Sequence, residues 1–167
     1  VPLIEKYDNL LVTQTFSKSR SLAGARLGFA VGCAGLIADL NAVKYSTNPY
    51  NVNRMTMAAG SAALDDDGYY MANCRDIAAT RGYVSRELAG LGFELTDSRT
   101  NFVFCTHPKI QGAELYSELR ARGVLVRHFD SPRIAAYNRV SIGTREQMDI
   151  FLDAVRDILN ERGGAAL

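Results

Sequence analysis

Apolar residues in the first part of the chain form two short runs followed by one helical stripe. Residues 10–12 and residues 27–31 are apolar runs of strand length with a polar segment between them. We therefore predict strands at residues 10–13 and 27–31, and we expect the polar connection to carry functional groups. From Ala34, apolar residues recur at helical spacing, which predicts a helix to about Lys44 on one face of the sheet. These residues are Leu36, Ile37, Leu40 and Val43.

Two further helices are predicted before residue 92. Asn48-Pro49 interrupts the chain, because a residue that precedes proline avoids helical geometry, and a helix rich in small residues follows at residues 53–64. The acidic segment 65–68 is a second break, which favours the start of a long helix at residues 69–91. Such a helix is a natural connector, so we place a boundary near Tyr69. The expected domains are residues 1–68 and residues 69–167.

Strands and helices alternate in the second half of the chain. The pattern predicts strands at residues 93–96, 102–106, 124–128 and 139–142, a helix at residues 111–122, and a final helix. The final helix has an apolar stripe at 3.6-residue spacing, and Thr144 with Gln147 fits a capping box at its start. The tail at residues 163–166 is expected to be loose. This half is predicted to be a small open-faced α/β sandwich, which puts the chain in the α/β class.

Composition and charge narrow the possible functions. The chain has 19 Lys and Arg against 18 Asp and Glu, spread along the sequence, so we expect no nucleic-acid partner and no membrane partner. No signal peptide or bilayer-length apolar run is visible, which predicts a cytoplasmic protein. Cys33, Cys74 and Cys105 are expected to be reduced core residues. The two histidines lack partners at ligand spacing, so no metal site is expected.

The connection between the first two predicted strands carries the candidate chemistry. Residues 15–29 have the sequence TFSKSRSLAGARLGF, which places Lys18 among hydroxyl residues and Arg26 between two glycines. A lysine there can bind a phosphate as a point charge or, when deprotonated, form a Schiff base with a carbonyl. No glycine precedes Lys18 at P-loop spacing, and Thr15 stands where an acylating Ser-x-x-Lys pair would have its serine. The surroundings therefore favour the Schiff base.

The order of residues around Lys18 is matched by further pieces along the chain. Ser17-Lys18 is followed by Leu22-Ala23-Gly24, Arg26 and Gly28-Phe29, and then by residues 49–52 (PYNV), Ser98 with Asn101-Phe102, residues 123–127 (GVLVR) and residues 139–144 (RVSIGT). This arrangement resembles the fold-type I pyridoxal-phosphate-dependent aminotransferases. The resemblance covers essentially the whole chain and is strongest to the histidinol-phosphate aminotransferases.

The resemblance implies a cofactor, a fold and roles for individual residues. The cofactor is pyridoxal 5′-phosphate: Lys18 would form the Schiff base and shuttle a proton, while Thr15, Ser17 and Arg26 would help to hold the phosphate. The chain would be the C-terminal part of a fold-type I transferase, with a remnant of the large-domain sheet at residues 1–68 and the small C-terminal domain at residues 69–167. The whole protein would be a homodimer acting on small amino-acid and keto-acid substrates.

Two arginines of the second half are candidate substrate ligands. Arg127 ends one predicted strand and Arg139 begins another, and the planar fork of a guanidinium suits both carboxylates and phosphates. The resemblance implies that Arg139 holds the α-carboxylate of the amino-acid or keto-acid partner and that Arg127 contacts the substrate phosphate. The alternative interpretation is that both are exposed charges at strand ends.

The activity implied is the exchange of an amino group between L-histidinol phosphate and 2-oxoglutarate in histidine biosynthesis. The open alternatives are another fold-type I aminotransferase, a decarboxylase of a phosphorylated amino acid, and a non-catalytic fragment that serves only for association. An enzyme of this class needs roughly twice this length of chain. Its aspartate for the pyridine nitrogen and its ring-stacking aromatic have no counterpart before Lys18. We therefore expect these 167 residues alone to be inactive.

Overall fold

The computed structural model describes residues 2–164, which form two compact units. The first unit ends at Cys74 and the second begins at Arg75. Each unit combines helices with an antiparallel sheet, so the predicted α/β class is confirmed. Because the division falls within a long helix, the domain boundary near Tyr69 stays a prediction.

The first unit consists of one β-hairpin and the helices that follow it. Its elements, in order, are a 3₁₀ turn at Pro2–Glu5, β1 at Val12–Thr15, a second 3₁₀ turn at Ala23–Ala25, β2 at Gly28–Val31, α1 at Ala34–Thr47 and α2 at Arg54–Asp65. The strands pair antiparallel, with Thr15 opposite Gly28. The Asn53 side chain caps α2 by accepting a hydrogen bond from the Thr56 amide at 2.9 Å.

Two expectations for this unit are wrong. β1 begins two residues later than predicted, because the Leu10 amide donates to the Tyr7 carbonyl in the preceding turn. The helix α1 has no buried residue, so it does not cover a sheet face as expected. A two-stranded ribbon offers too little surface to bury a helix. Among the described residues up to Cys74, only Phe16, Gly60 and Ala63 are buried.

The second unit is built on a four-stranded antiparallel sheet with strand order β3-β4-β6-β5. The elements from the unit boundary onward are α3 at Asp67–Gly90, which begins in the first unit, β3 at Glu94–Leu95, β4 at Phe102–Thr106, α4 at Gly112–Ala121, β5 at Arg127–His128, β6 at Asn138–Ser141 and α5 at Arg145–Gly164. The predicted loose tail is wrong for Gly163 and Gly164, which continue α5, and Ala165 and Ala166 lie outside the described residues.

β5 is much shorter than the strand predicted at residues 124–128. Gly123 has a φ of +78°, and the Val124 amide donates to the Leu119 carbonyl at 2.9 Å. These residues therefore complete the C-terminal turn of α4 and are not free to pair as a strand. The chain reaches the sheet only at Arg127.

The three helices of the second unit share one core with one face of its sheet. Alternate residues of β4 and β6 point into this core, including Val103, Cys105 and Val140. They meet Leu88 of α3, Leu119 of α4 and Leu152 of α5, all fully buried. The predicted sandwich of helices on one sheet face is confirmed.

The capping box predicted at the start of α5 is confirmed. The Thr144 amide donates to the Gln147 Oε1 at 3.0 Å, and the Gln147 amide donates to the Thr144 hydroxyl at 3.3 Å. The two hydrogen bonds satisfy backbone donors that have no partner within the helix. The first turn of α5 is thereby fixed directly after β6.

The cysteines differ from one another in their surroundings. All three are free thiols, as expected, but only Cys105 lies in the core, while Cys33 and Cys74 are half-buried. Burial raises the pKa of the Cys105 thiol to about 12, which makes it a poor nucleophile. The Cys33 thiol instead starts α1, accepting from the Leu36 amide and donating to the Asp8 carbonyl.

Candidate functional site

Two of the predicted cofactor ligands lie together at the end of β1. The Thr15 hydroxyl donates to the Ser17 hydroxyl at 2.8 Å, and the Ser17 amide donates to the Thr15 hydroxyl at 3.1 Å. Thr15 is exposed and Ser17 is half-buried, so hydroxyl oxygens face an accessible surface. Because the Thr15 hydroxyl donates its proton to Ser17, the Ser17 hydroxyl is the one that can donate to an anion in this arrangement.

Lys18 follows these hydroxyls in a tight turn. The Ser21 amide donates to the Lys18 carbonyl at 3.1 Å, and the Leu22 amide donates to the Phe16 carbonyl at 3.0 Å. Phe16 is only 4% exposed and anchors the turn, with its ring edge-on to Phe29 at 5.8 Å between centroids. The Lys18 side chain is exposed, so its amine is open to a reactant.

Arg26 lies two residues before β2, at the end of the hairpin where β1 finishes. The register ends with Thr15 opposite Gly28, and the Phe16 amide donates to the Leu27 carbonyl. The Nη1 of Arg26 donates to the Ala23 carbonyl at 3.1 Å within its own turn. A side chain at Gly28 would place a Cβ 2.9 Å from the Gln14 carbonyl, which explains the glycine. The structure therefore brings Thr15, Ser17 and Arg26 to the same end of the hairpin.

Backbone strain is concentrated in this segment. Ser21 has a φ of +55° and Arg26 a φ of +54°, and they are the two non-glycine residues with positive φ in the part of the chain described by the structure. Residues with a Cβ adopt this conformation at a cost of about 1 kcal/mol or more each. Local strain of this kind is typical of ligand-binding segments, because it fixes side chains in directions that a relaxed turn would not provide.

The two predicted substrate arginines are direct neighbours in the second unit. Arg127 of β5 is paired in register with Arg139 of β6, so both side chains leave the same face of the sheet, opposite the core. Arg127 is exposed and Arg139 is half-buried. The Nε of Arg139 is buried and has no hydrogen-bond partner among the described residues.

Aromatic rings surround this arginine pair. Both guanidinium groups lie near the Phe129 ring, at 5.3 Å for Arg127 and 5.9 Å for Arg139. Phe104, which pairs with Arg139 in the sheet, stacks on Tyr137 at 4.7 Å. The rings exclude water from part of each guanidinium and so strengthen its attraction for an anion.

A buried asparagine fixes the strand that carries Arg139. Asn138 is 1% exposed, and its side-chain amide donates to the Gly112 carbonyl at 2.8 Å. Gly112, the first residue of α4, lies so close to the segment before β6 that a Cβ there would be 2.5 Å from the Ala135 carbonyl oxygen. The entry into β6 is therefore held against α4, and this positions Arg139.

The sequence pattern missed two features of these surfaces. Phe102 and Phe104 alternate with buried Val103 and Cys105, and this period of two could have revealed an aromatic face opposite the core. Arg20 was not recognised as a structural residue, although it makes long-range contacts from the lysine turn. Its partners lie 43 and 47 residues away, beyond the reach of any local pattern.

Two further kinds of feature, a metal centre and a membrane-spanning helix, are absent from the described residues. Within residues 2–164, no group of three or more His, Cys, Asp and Glu side chains lies close enough to share a metal ion. None of the described helices combines the length and apolar character needed to cross a bilayer.

Comparison with protein families and curated proteins identifies relatives of this chain. The family model described as aminotransferase class I and II matches residues 1–155. The histidinol-phosphate aminotransferase of Brachyspira hyodysenteriae is 48% identical over 157 residues, covering 94% of this chain and 44% of that protein. The chain thus spans less than half the length of this curated relative.

Solved structures share the fold. A putative aminotransferase from Burkholderia pseudomallei superposes with a TM-score of 0.80 at 35% identity, over 90% of this chain and 45% of its own. Histidinol-phosphate aminotransferase from Sinorhizobium meliloti, solved in complex with pyridoxal-5′-phosphate, gives a TM-score of 0.77 at 25% identity, over 95% of this chain and 44% of its own. These matches confirm the resemblance seen in the sequence. The chain belongs to the aminotransferase class I and II family.

Proposed function

We propose that this chain supplies the lysine and part of the substrate site of a pyridoxal-phosphate-dependent aminotransferase that acts on L-histidinol phosphate and 2-oxoglutarate. The observation that carries the proposal is the hairpin end, where the hydroxyls of Thr15 and Ser17, the amine of Lys18 and the guanidinium of Arg26 occupy one strained segment. The names of the relatives support the choice of substrates.

The residues present fit the cofactor in part. Two hydroxyls and a guanidinium are suitable donors for a phosphate, and the exposed amine of Lys18 is suitable for an aldehyde. The fit is incomplete at the pyridine nitrogen, because the only aspartate before Lys18 is Asp8, which lies in the turn that precedes β1. We therefore propose that the 167 residues alone do not transaminate and that a further segment supplies the missing groups.

Each residue has a defined task in this proposal. When bound, pyridoxal phosphate supplies an aldehyde and an electron-withdrawing ring. Lys18 would hold it through Nζ and carry a proton at that atom during the exchange. Thr15, Ser17 and Arg26 would bind the phosphate and so fix the distance between the cofactor and Lys18.

In the second unit, the arginine pair would bind the anionic groups of the substrates. Arg139 would hold the α-carboxylate of glutamate or 2-oxoglutarate through its guanidinium group. Arg127, which is more exposed and one strand further out, would contact the phosphate of histidinol phosphate. The aromatic rings around both arginines support binding of anions in a partly dry site.

The quaternary structure and location are also proposed. We propose a homodimer in the cytoplasm, as the family resemblance implies. The many exposed apolar side chains of the first unit, among them Tyr50 at 91% and Met55 at 84%, favour association with another surface.

The test of this function uses a chimaera in which the chain replaces the matching region of the Brachyspira hyodysenteriae relative. We expect transfer of the amino group from histidinol phosphate to 2-oxoglutarate, and we expect Lys18→Ala to abolish it. Lys44→Ala, which removes an exposed lysine of α1, is the matched control and should retain activity. A chimaera that keeps its turnover after Lys18→Ala would contradict the assignment.

Measurements with different substrates distinguish the proposed roles of the two arginines. Arg139→Ala should raise the KM for 2-oxoglutarate on the order of tenfold, whereas Arg127→Ala should act mainly on the phosphorylated donor, because each removes one charge-assisted hydrogen-bonding group. Arg120→Ala, at an exposed position of α4, serves as the control. Equal effects of Arg127→Ala on phosphorylated and non-phosphorylated donors would remove its phosphate role.

A further inference from the structure

Arg20 connects the turn that holds Lys18 to the helices that follow it. Its Nη1 donates to the Ala63 carbonyl at 3.2 Å, its Nη2 donates to the Asp67 carboxylate at 2.6 Å, and its guanidinium lies 5.4 Å from the Tyr70 ring centroid. We call these four residues the Arg20 clamp. All four lie within the first unit.

The partners of Arg20 suit a cation for reasons of helix electrostatics. Ala63 lies in the last turn of α2, where carbonyl groups lack partners within the helix and carry partial negative charge. Asp67 is the first residue of α3, where a carboxylate is favoured. The Arg20 side chain is 13% exposed and that of Asp67 59%, so the cation is shielded from solvent while its carboxylate partner lies at the surface.

The lysine segment meets α2 at a second point. Gly60 lies so close to Leu27 that an added Cβ would collide with the leucine side chain, and it would lie 3.8 Å from the Phe16 ring. Gly60 and Phe16 are both buried. The segment that carries Lys18 is therefore held to α2 on one side by apolar contact and on the other by the Arg20 clamp.

We propose that Arg20 is a positioning residue that sets Lys18 relative to the phosphate ligands Thr15, Ser17 and Arg26. This inference rests on the proposed function, because it assigns Arg20 a role in the reaction of Lys18 with a phosphate-bearing aldehyde. Arg20 lies two residues after Lys18 in the same turn, and its side chain is directed to the end of α2 and the start of α3. Fixing one end of the turn fixes the direction in which the Lys18 amine leaves it.

The expected loss of reactivity at Lys18 can be judged from how strongly a reaction rate depends on the position of the reacting group. A displacement of about 1 Å of a reacting group can lower a rate by about a hundredfold. The turn is otherwise restrained by two backbone hydrogen bonds and by the Phe16 side chain. Loss of the clamp should therefore displace Lys18 without unfolding the hairpin.

The experiment treats the chimaera that tests the proposed function with pyridoxal phosphate, traps the product with borohydride and measures labelling of each lysine by peptide mass spectrometry. Because reduction by borohydride is irreversible, labelled lysine accumulates even when binding is weak. Lys6, Lys44 and Lys109 are exposed lysines of the same chain and serve as internal references. Pyridoxal without the phosphate is the second probe. We expect Lys18 to be labelled about tenfold above the references by pyridoxal phosphate, and close to them by pyridoxal.

Arg20→Gln should lower the preference for Lys18 about fivefold or more, with helical circular dichroism unchanged. Asp67→Asn should have a smaller effect, because the contacts with Ala63 and Tyr70 remain, and Asp67→Glu should restore the preference because it restores the charge. The double variant Arg20→Gln/Asp67→Asn should be no worse than Arg20→Gln, since both act through one contact. Arg54→Gln, at an exposed arginine of α2, is the matched control.

The possible results separate the two proposals. If Arg20→Gln keeps the full preference for Lys18, the positioning role is wrong while the role of Lys18 stands. If Arg20→Gln loses helical signal, the pair Asp67→Asn and Asp67→Glu decides, and equal labelling in both would overturn the positioning role. If Lys18 is not preferred in the chimaera without further substitutions, the proposed cofactor role of Lys18 falls and the role of Arg20 falls with it.

Discussion

Buried apolar residues are distributed unevenly between the two units. In the second unit, a single core runs from Val84 to Ile158 and joins three helices to one sheet face. In the described part of the first unit, burial is confined to Phe16, Gly60 and Ala63. Each unit carries one half of the candidate chemistry, but only one of them has a core that could hold it in place.

The exposed apolar residues show the opposite distribution. Of the thirteen large apolar side chains found exposed among the described residues, eleven are in the first unit and two, Leu125 and Ile150, are in the second. Surfaces of this kind are usually covered by another part of the protein or by a partner. The chain spans less than half of its relatives, and this distribution fits the proposal that a further segment completes the first unit.

The difference shows how two candidate sites in one chain can be held by different forces. Around Arg139, packing and the buried Asn138 fix the strand, so the guanidinium is positioned by the core. Around Lys18, position depends on hydrogen bonds and on the ion pair between Arg20 and Asp67. The lysine segment should therefore be more sensitive to charge changes than the arginine pair.

The largest effect is expected from separating the units. Residues 67–167 should unfold cooperatively with a melting temperature near that of the whole chain, because they contain the complete core. Residues 1–74 should lack a cooperative transition and should associate, because their apolar surface is not covered. Circular dichroism melting and analytical ultracentrifugation measure both. Cooperative, monomeric unfolding of residues 1–74 would show that the comparison between the units is wrong.

A pair of leucine substitutions measures the same difference residue by residue. Leu152 is fully buried, so Leu152→Ala should lower the free energy of unfolding by about 2–5 kcal/mol. Leu40 of α1 is 41% exposed, and Leu40→Ala should change the free energy of unfolding by about 0.5 kcal/mol or less. Denaturant titration of the whole chain gives both values. Equal losses would mean that α1 contributes to a core that the described contacts do not contain.

The sequence predicted the elements better than it predicted their packing. Local signals located the capping box at Thr144, the break around residues 65–68 and the start of α2 near Asn53, because caps and breaks depend on neighbouring residues. The prediction that α1 is buried was wrong, because an apolar stripe on a helix does not reveal whether the described chain offers a surface for it to pack against. The Arg20 clamp was missed because it joins residues far apart in the sequence.

Helix caps provide a smaller test of the comparison. Thr144→Ala should cost about 1 kcal/mol, because it leaves a backbone amide of α5 without its partner, and Thr144→Ser should retain the stability. Asn53→Ala removes the corresponding bond from α2 in the first unit. It should reduce helix content without shifting the main unfolding transition, which reports the second unit. A shift as large as that of Thr144→Ala would mean that both units unfold together.

The smallest effect concerns a polar contact between α3 and α5 in the second unit. The Tyr83 hydroxyl donates to the Asp149 carboxylate at 2.8 Å, and Arg145 donates to the same carboxylate at 3.1 Å. These two hydrogen bonds, with that of Tyr83 the stronger influence, lower the pKa of Asp149 below its usual value of 3.8. The same bond to Asp149 raises the pKa of Tyr83 above 10.0.

The two shifts predict losses of stability at opposite ends of the pH range. Because the pKa of Asp149 is lower in the folded than in the unfolded chain, its contribution is present above about pH 4 and is lost as the pH falls through the folded pKa. Because the pKa of Tyr83 is raised, its contribution is present below about pH 10 and is lost as the pH rises through the folded pKa. Tyr83→Phe removes the shared bond, so its melting temperature should depend less on pH at both the acidic and the alkaline end. Tyr116→Phe, at a tyrosine of α4, is the control and should leave the pH profile unchanged.

Since the bond is solvent-accessible, the difference in stability between Tyr83→Phe and the unaltered chain should be small and should shrink further in high salt. The loss caused by Leu152→Ala should not depend on salt. A profile that Tyr83→Phe leaves unaltered would show that this contact does not help to join α3 to α5, which packing and the ion pair between Glu87 and Arg156 would then hold together.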